Sequence, residues 1–309
     1  VTQAVGGIDV EFWTTVLMDV LFPKNSFMMR SVDHGDYVLN GVVVHVPNAG
    51  AVPGLVRNRS VYPATASQRT DVDLVYGLVE YTTDPTHITK KEQTTIAYDK
   101  VASILRTHSQ VITKGIADDL HYNWSAGAAA QILRTTGADS ALNLSPSATG
   151  TRKVFTTADL SRAMTAMNLQ DVPEEGRVCL LPSQMYEELL NDPDLKKRDV
   201  AKEADYKNGI LARLYGFDIM QRSTATLFTN AATPVKKAVG AAAAATDNLA
   251  ALCWQEGMVC RAAGTVTPFQ DNDNPLYYGD ILSALARAGG RQMRNDGKGV
   301  ISIVQAAGA

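Results

Sequence analysis

The sequence predicts an α+β fold, and three observations carry that prediction. A proline-free stretch at residues 92–124 keeps its apolar residues on one helical face. Residues 36–47 and 71–83 are β-branched and alternate in the manner of strands. From residue 156 onward, short apolar runs alternate with capped helical patterns.

The chain has 309 residues, enough for two domains or one large mixed unit. Its hydrophobic content of 45% and charged content of 20% are ordinary for a globular protein. The net charge of −3 argues against a surface that binds nucleic acid over its whole extent. Cys179, Cys253 and Cys260 fit no zinc spacing and read as buried thiols. No apolar run is long enough to span a bilayer, and no signal peptide is evident, so no membrane partner is expected. The chain begins at Val1 rather than Met. Either a leading segment has been removed or the sequence starts inside the gene product.

Residues 1–30 carry an apolar run that includes Phe12 and Trp13 and ends at Phe22-Pro23. It has no evident partner nearby, so it either packs on something distant, including another chain, or is a loose terminus. Residues 36–47 form one strand and residues 71–83 another, with Val72, Leu74, Tyr76, Leu78 and Glu80 sharing a face. The excursion between them is long for a compact domain. It holds Arg57, Arg59, Tyr62 and Arg69, and little that could build its own core. An extended arm is the expectation.

The stretch at 92–124 would make a rod on the order of 50 Å at ~1.5 Å per residue. Gly115 either breaks it or is tolerated at about 1 kcal/mol. A short helix is expected near 128–133, and a helix capped by Thr156 or Thr157 presents Leu160, Ala163, Met164 and Met167. RVCLL at 177–181 is a buried strand, followed by a helix at 184–191. Residues 192–208 read as charged and turn-like, 209–220 as a small turn and strand, and 230–248 as a loop with room for a short helix. Residues 249–254 and 258–266 suit strands or short helices. Residues 277–294 read as strand or helix, with strand preferred, and 299–305 as a strand. Asp296-Gly297 between these two suggests a hairpin.

Chemistry-bearing motifs are missing. The sequence has no GxxxxGK[ST], GxGxxG, HExxH or GxSxG. His108 lies near the apolar face of the long helix and reads as a packed core histidine, and His121 with Asp118 reads as a solvated pair. Asp271-Asn272-Asp273-Asn274 begins like a calcium loop but fails at Leu276 and Leu282, where glycine and glutamate are required. The adjacent acids Asp118-Asp119, Glu174-Glu175 and Glu187-Glu188 point apart on helices or sit in turns, and do not supply the convergence that acid–base work needs. No catalytic residue, cofactor or metal site is expected.

In order, these pieces resemble the major capsid protein of tailed bacteriophages, the Hong Kong 97 fold. The arm between the strands at 36–47 and 71–83 is similar to that family's extended β-hairpin loop, and the long helix resembles its spine helix in a peripheral domain. RVCLLPSQMYEELLND and GILARLYGFDIMQRS resemble the opening of its axial α/β domain, and the last strands resemble a return to the peripheral domain. The resemblance implies an N-terminal arm at 1–35, extended loop at 36–83, peripheral domain at 84–155, axial domain at 156–270 and return strands at 271–309. It implies a self-assembling icosahedral shell of pentamers and hexamers, assembled in the host bacterial cytoplasm and enclosing double-stranded DNA through nonspecific inner contacts. Portal, scaffold, packaging protease and a cementing protein are the implied partners. Val1 would then fit removal of a scaffolding segment. Arg57, Arg59, Arg69, Tyr62, Phe12 and Trp13 become the expected inter-subunit contacts. Some relatives cross-link a loop Lys to an Asn. Residues 25–89 contain no Lys, so no such link is expected. Two other readings are an encapsulin-like compartment shell and a cytosolic α+β enzyme with an unrecognised site.

Overall fold

The computed structural model describes residues 25–35, 43–48, 54–63, 66, 68–69, 71–90, 100–197, 213–263 and 266–308. Phe12 and Trp13, the first part of the expected long helix and residues 198–208 of the charged stretch lie outside those residues.

A 3₁₀ turn at Ser26–Met29 leads into β1 (Val32–Asp33). Strands β2 (Val43–Asn48) and β3 (Val72–Gly77) pair antiparallel with each other. The run expected at 71–83 is interrupted at Leu78 and resumes as β4 (Val79–Thr82), with β5 (Thr86–Thr89) following. Helix α1 (Lys100–Trp124) passes through Gly115 without a break. A Cβ there would sit 3.7 Å from the Tyr81 ring, an ordinary van der Waals contact, so the glycine is tolerated and packing does not require it. In place of the helix expected near 128–133 there is one 3₁₀ turn, Ala129–Gln131, and then β6 (Ile132–Arg134). The short strands β7 (Asp139–Ser140) and β8 (Arg152–Lys153) pair with each other.

Helix α2 (Thr157–Asn168) starts where its cap predicts. The Asp159 carboxylate accepts from the Thr156 backbone N–H at 3.1 Å and from the Thr136 hydroxyl at 2.7 Å. Strand β9 (Arg177–Pro182) and helix α3 (Ser183–Asn191) follow. The segment after them is not all turn, because Pro193–Lys197 makes one helical turn, α4, with the Asp192 carboxylate accepting from the Asp194 N–H at 2.9 Å. Strands β10 (Arg213–Leu214) and β11 (Phe217–Arg222) form a hairpin whose turn puts Tyr215 and Gly216 at positive φ, 49° and 80°. Residues 230–248 hold turns and bridges and no helix. The remaining strands are β12 (Ala250–Gln255), β13 (Val259–Ala263), β14 (Thr267–Asn274), β15 (Gly279–Gln292) and β16 (Val300–Val304).

Two six-stranded sheets organise the described residues. In the first, β15 is the common partner: it pairs with β13 through its C-terminal part, with β14 and β5 through its N-terminal part, and with β4 between. The second runs β10-β11-β9-β12-β16-β6. The turn at Asp296-Gly297 is present, with Gly297 at φ 67°, but the expected hairpin is not. Strand β15 joins the first sheet and β16 the second. Burial explains the separation: all five residues of β16 are buried, as a central strand demands, whereas β15 alternates over much of its length.

The second sheet is covered on both faces. Cys179, Leu181, Cys253, Ile301 and Ile303 pack against Leu160, Ala163 and Met167 of α2 and Met185 and Leu189 of α3. The residues between them, Val178, Leu180, Leu252 and Trp254, face α1 through Ile112, Ile116, Leu120 and Trp124. Ala284, Ala286 and Ala288 of β15 join this same cluster. The long helix therefore lies between the two sheets. Small residues on β15 let it come close: a Cβ on Gly290 would fall 2.5 Å from both the Cys260 carbonyl oxygen and Leu120 Cδ2. The run ALARAGG, ambiguous between helix and strand, is a strand lined with small residues because a helix crosses it. The three cysteines are free and buried, with the Cys179 and Cys253 sulfurs 3.3 Å apart on paired strands.

Candidate inter-subunit surface

The β2–β3 hairpin is anchored at its base and exposed beyond it. Val44 and Tyr76 are buried against Cys260 and Ala262 of β13. The Tyr76 hydroxyl and His34 Nδ1 are hydrogen-bonded at 3.1 Å, and Arg291 donates to the Val75 carbonyl at 2.9 Å. His45 Nδ1 meets the Asp73 carboxylate at 2.5 Å across the pair.

Past the paired strands, every one of residues 54–63 is exposed. Leu55 is 91% exposed, Val61 73% and Tyr62 75%, far above what an apolar side chain has when its own chain covers it. Asn58 turns the backbone at φ 48° between Arg57 and Arg59. Neither of those guanidiniums meets a partner among the described residues. Arg69 differs from them, because it donates twice to the Asp71 carboxylate, at 2.6 and 2.8 Å. The structure thus brings Arg57, Arg59 and Tyr62 together on one exposed segment and gives Arg69 a local partner. Phe12 and Trp13 lie outside the described residues.

The body behaves in the opposite way. Arg222, 1% exposed, donates to Asp118 at 2.6 Å, to Asn25 Oδ1 and to the Thr224 carbonyl, with its guanidinium over the Phe27 ring. Here a sequence expectation is corrected: His121 and Asp118 are not a solvated pair. His121 is buried, its Nδ1 accepts from the Thr226 N–H at 3.1 Å, and burial together with the nearby Arg222 charge pushes its pKa down to about 3. Asp118 is taken by Arg222 instead. His108 is buried as expected, and burial lowers its pKa.

The carboxylates around 271–280 do not converge on a vacant cation position. Lys90 Nζ sits 2.6 Å from Asp273 and 3.5 Å from Asp280, so an ammonium neutralises them. No group of three or more His, Cys, Asp or Glu side chains that could hold a metal ion occurs among the described residues. No helix among those residues is long and apolar enough to cross a membrane.

Sequence reasoning passed over one residue in particular. Glu188 is buried, with its carboxylate accepting from the Phe155 N–H at 2.8 Å, and burial raises its pKa to about 7. Glu187 and Glu188 do point apart, as adjacent helical positions must, but one points out and the other in. The signal lay in the spacing of Met185, Glu188 and Leu189, which places Glu188 on the apolar face.

Comparison with known proteins turns this geometry into a family assignment. A family model described as phage capsid protein matches residues 70–254, more than half of the chain. The capsid of cyanophage P-SCSP1u superposes with a TM-score of 0.70 at 15% identity, covering 98% of this chain and 94% of that one. The capsid of a native GTA particle gives 0.67 at 11% identity and covers 98% of each chain. Mycobacterium phage Che8 gives 0.65 at 14% identity, covering 97% of this chain and 98% of that one. No curated protein sequence matches. An exposed arm on a two-sheet body crossed by a long helix is the Hong Kong 97 architecture of these shells, and the chain belongs to the phage capsid protein family.

Proposed function

We propose that copies of this chain close into the icosahedral head of a tailed phage, as pentamers and hexamers around packaged double-stranded DNA. Family membership makes the chain a structural component of the virion that assembles with itself. The icosahedral geometry, a portal, a scaffold, a cementing protein, nonspecific DNA contact at the inner wall and assembly in the bacterial cytoplasm belong to this proposal.

One observation carries it. Residues 54–63 expose Leu55, Val61 and Tyr62, and neither Arg57 nor Arg59 meets a partner among the described residues. An arm with this much exposed apolar surface fits a chain whose neighbours cover it. Obligate interfaces commonly bury more than about 2,000 Å². The first sheet with α1 would be the peripheral domain, and the second sheet with α2–α4 the axial one. On this division β6 and β16 go with the axial sheet, and β13 to β15 with the peripheral one.

Electron microscopy of the expressed chain, with and without its scaffold, tests the reading. Closed shells or rings of five and six are expected. A chain that stays small with scaffold supplied would overturn it. Intact-mass analysis of denatured mature particles should show a single species without a ladder, because residues 25–89 contain no Lys.

A further inference from the structure

Cys179 and Cys253 stand directly opposite each other on the antiparallel strands β9 and β12, in the middle of the second sheet. Their sulfurs are 3.3 Å apart, with the Cys253 thiol donating to Cys179 Sγ. Directly opposed residues of an antiparallel pair have Cα atoms roughly 4.5–5.5 Å apart. A disulfide takes Cα separations of about 4.4–6.8 Å, so the strands need not move to accept one here. Both residues are fully buried, in a cluster with Leu181, Ile301, Ile303, Met167 and Met185. Two small apolar side chains of any kind would fill that space, so packing does not ask that both be sulfur at one register position. Cys260 is buried just as completely, but it lies on the first sheet, and its thiol donates to the Arg291 carbonyl at 3.4 Å.

We propose that Cys179 and Cys253 form a latent cross-strand staple, closed to a disulfide by a peroxide-class oxidant. The staple lies within one chain and stands independently of the shell reading. One sulfur, as thiolate, attacks a peroxide oxygen; the O–O bond breaks, hydroxide leaves, and a sulfenic acid remains. The second sulfur attacks that one; the S–S bond forms, the S–OH bond breaks, and a second hydroxide leaves. The two thiol protons turn both hydroxides into water, and the two electrons lost by the sulfurs are the two that the peroxide gains. Burial and the neighbouring Cys179 hold the Cys253 thiol well above its ordinary pKa, so thiolate is scarce and closure waits on local parting of the strands. Once closed, the bond ties residues 74 positions apart and encloses α3, α4, β10 and β11 in one loop, which restricts the unfolded chain.

The test treats the full folded chain with hydrogen peroxide, removes the peroxide with catalase, and unfolds the chain in N-ethylmaleimide for peptide mapping. Peroxide is raised until half of Cys260, the equally buried thiol, has reacted. The expected result is a Cys179–Cys253 linked peptide in most chains well before that point. A chain unfolded in urea before treatment should link Cys253 to Cys260 instead, because those two are far closer in sequence and close the smaller loop. Cys179 and Cys253 still carrying N-ethylmaleimide at that point, or a Cys253–Cys260 link in the folded chain, would overturn the staple. A second measurement reads its consequence. The oxidised chain should unfold at a higher denaturant concentration than the reduced one, dithiothreitol should reverse the shift, and Cys253→Ala should abolish it. An equal shift in Cys253→Ala would assign the effect to another oxidation and overturn the staple as its cause.

Discussion

Arg222 and Arg57 are the same side chain in two opposite settings. Arg222 is almost completely buried, and Asp118, Asn25, Thr224 and the Phe27 ring share its charge. Arg57 is exposed on the arm and meets nothing among the described residues. Arg222 finds its partners inside the chain, and Arg57 finds none among the described residues. The contrast teaches where stability ends and assembly begins: a residue with partners inside the chain should affect the free subunit, and one without should affect only the shell.

The sharpest way to break that contrast is Arg222→Ala. Removing it strands Asp118 and takes the charge from over Phe27, and the free chain should lose about 3 kcal/mol. Thermal unfolding of the unassembled chain reads this directly, and an unchanged melting point would refute it. Gly290→Ala comes next to it in effect. The new methyl would press on the Cys260 carbonyl and on Leu120, so α1 must back away from β15 at a cost of roughly 1–3 kcal/mol, seen in the same unfolding measurement.

The pH dependence of the free chain sharpens the comparison further. The folded pKa of Glu188, about 7, is raised above the ordinary value of 4.5. The folded chain therefore holds a proton that the unfolded chain gives up. Stability from this group is complete below pH 4.5 and is lost as pH rises toward 7, by on the order of 3 kcal/mol. His121 works the other way: its pKa is lowered from 6.5 to about 3, so its contribution is present above pH 6.5 and is lost as pH falls. Glu188→Gln should flatten the loss between pH 4.5 and 7 in denaturant titrations and leave the acid limb in place. The smallest effect on the free chain belongs to the arm. Arg57→Ala and Arg59→Ala should each change its stability by less than about 0.5 kcal/mol. A large shift in the subunit would mean the arm has a partner in its own body after all.

Legibility in the sequence followed burial. Strand β9 is buried on both faces and so reads as an unbroken apolar run, and α1 shows its helical period because one side meets two sheets. Strand β14 was not visible, since TPFQDNDN has no alternation to show: seven of its eight residues are exposed, and it is held by pairing with β15. Pro268 and two aspartates on such an exposed strand are residues that discourage unwanted pairing. The arm was legible as a long excursion with little to build its own core, and its described residues 54–63, with Arg57, Arg59 and Tyr62 among them, are exposed. The setting of Glu188 was not legible in full, because it depends on α3 standing next to Phe155, 33 positions away in sequence, a meeting that only the fold creates.

The turn at Ser26–Met29 has a mechanical side. Phe27 is wedged among Trp124, Trp254 and His121, while Arg222 reaches Asn25, Arg261 donates to the Met28 carbonyl, and Trp254 donates to the Arg30 carbonyl. Those partners belong to both sheets and to the helix between them. A pull on the chain ahead of Asn25 would therefore be delivered at the seam where all three meet, and shared among them, so that tension on this end works on the angle between the two halves of the subunit instead of peeling strands from one.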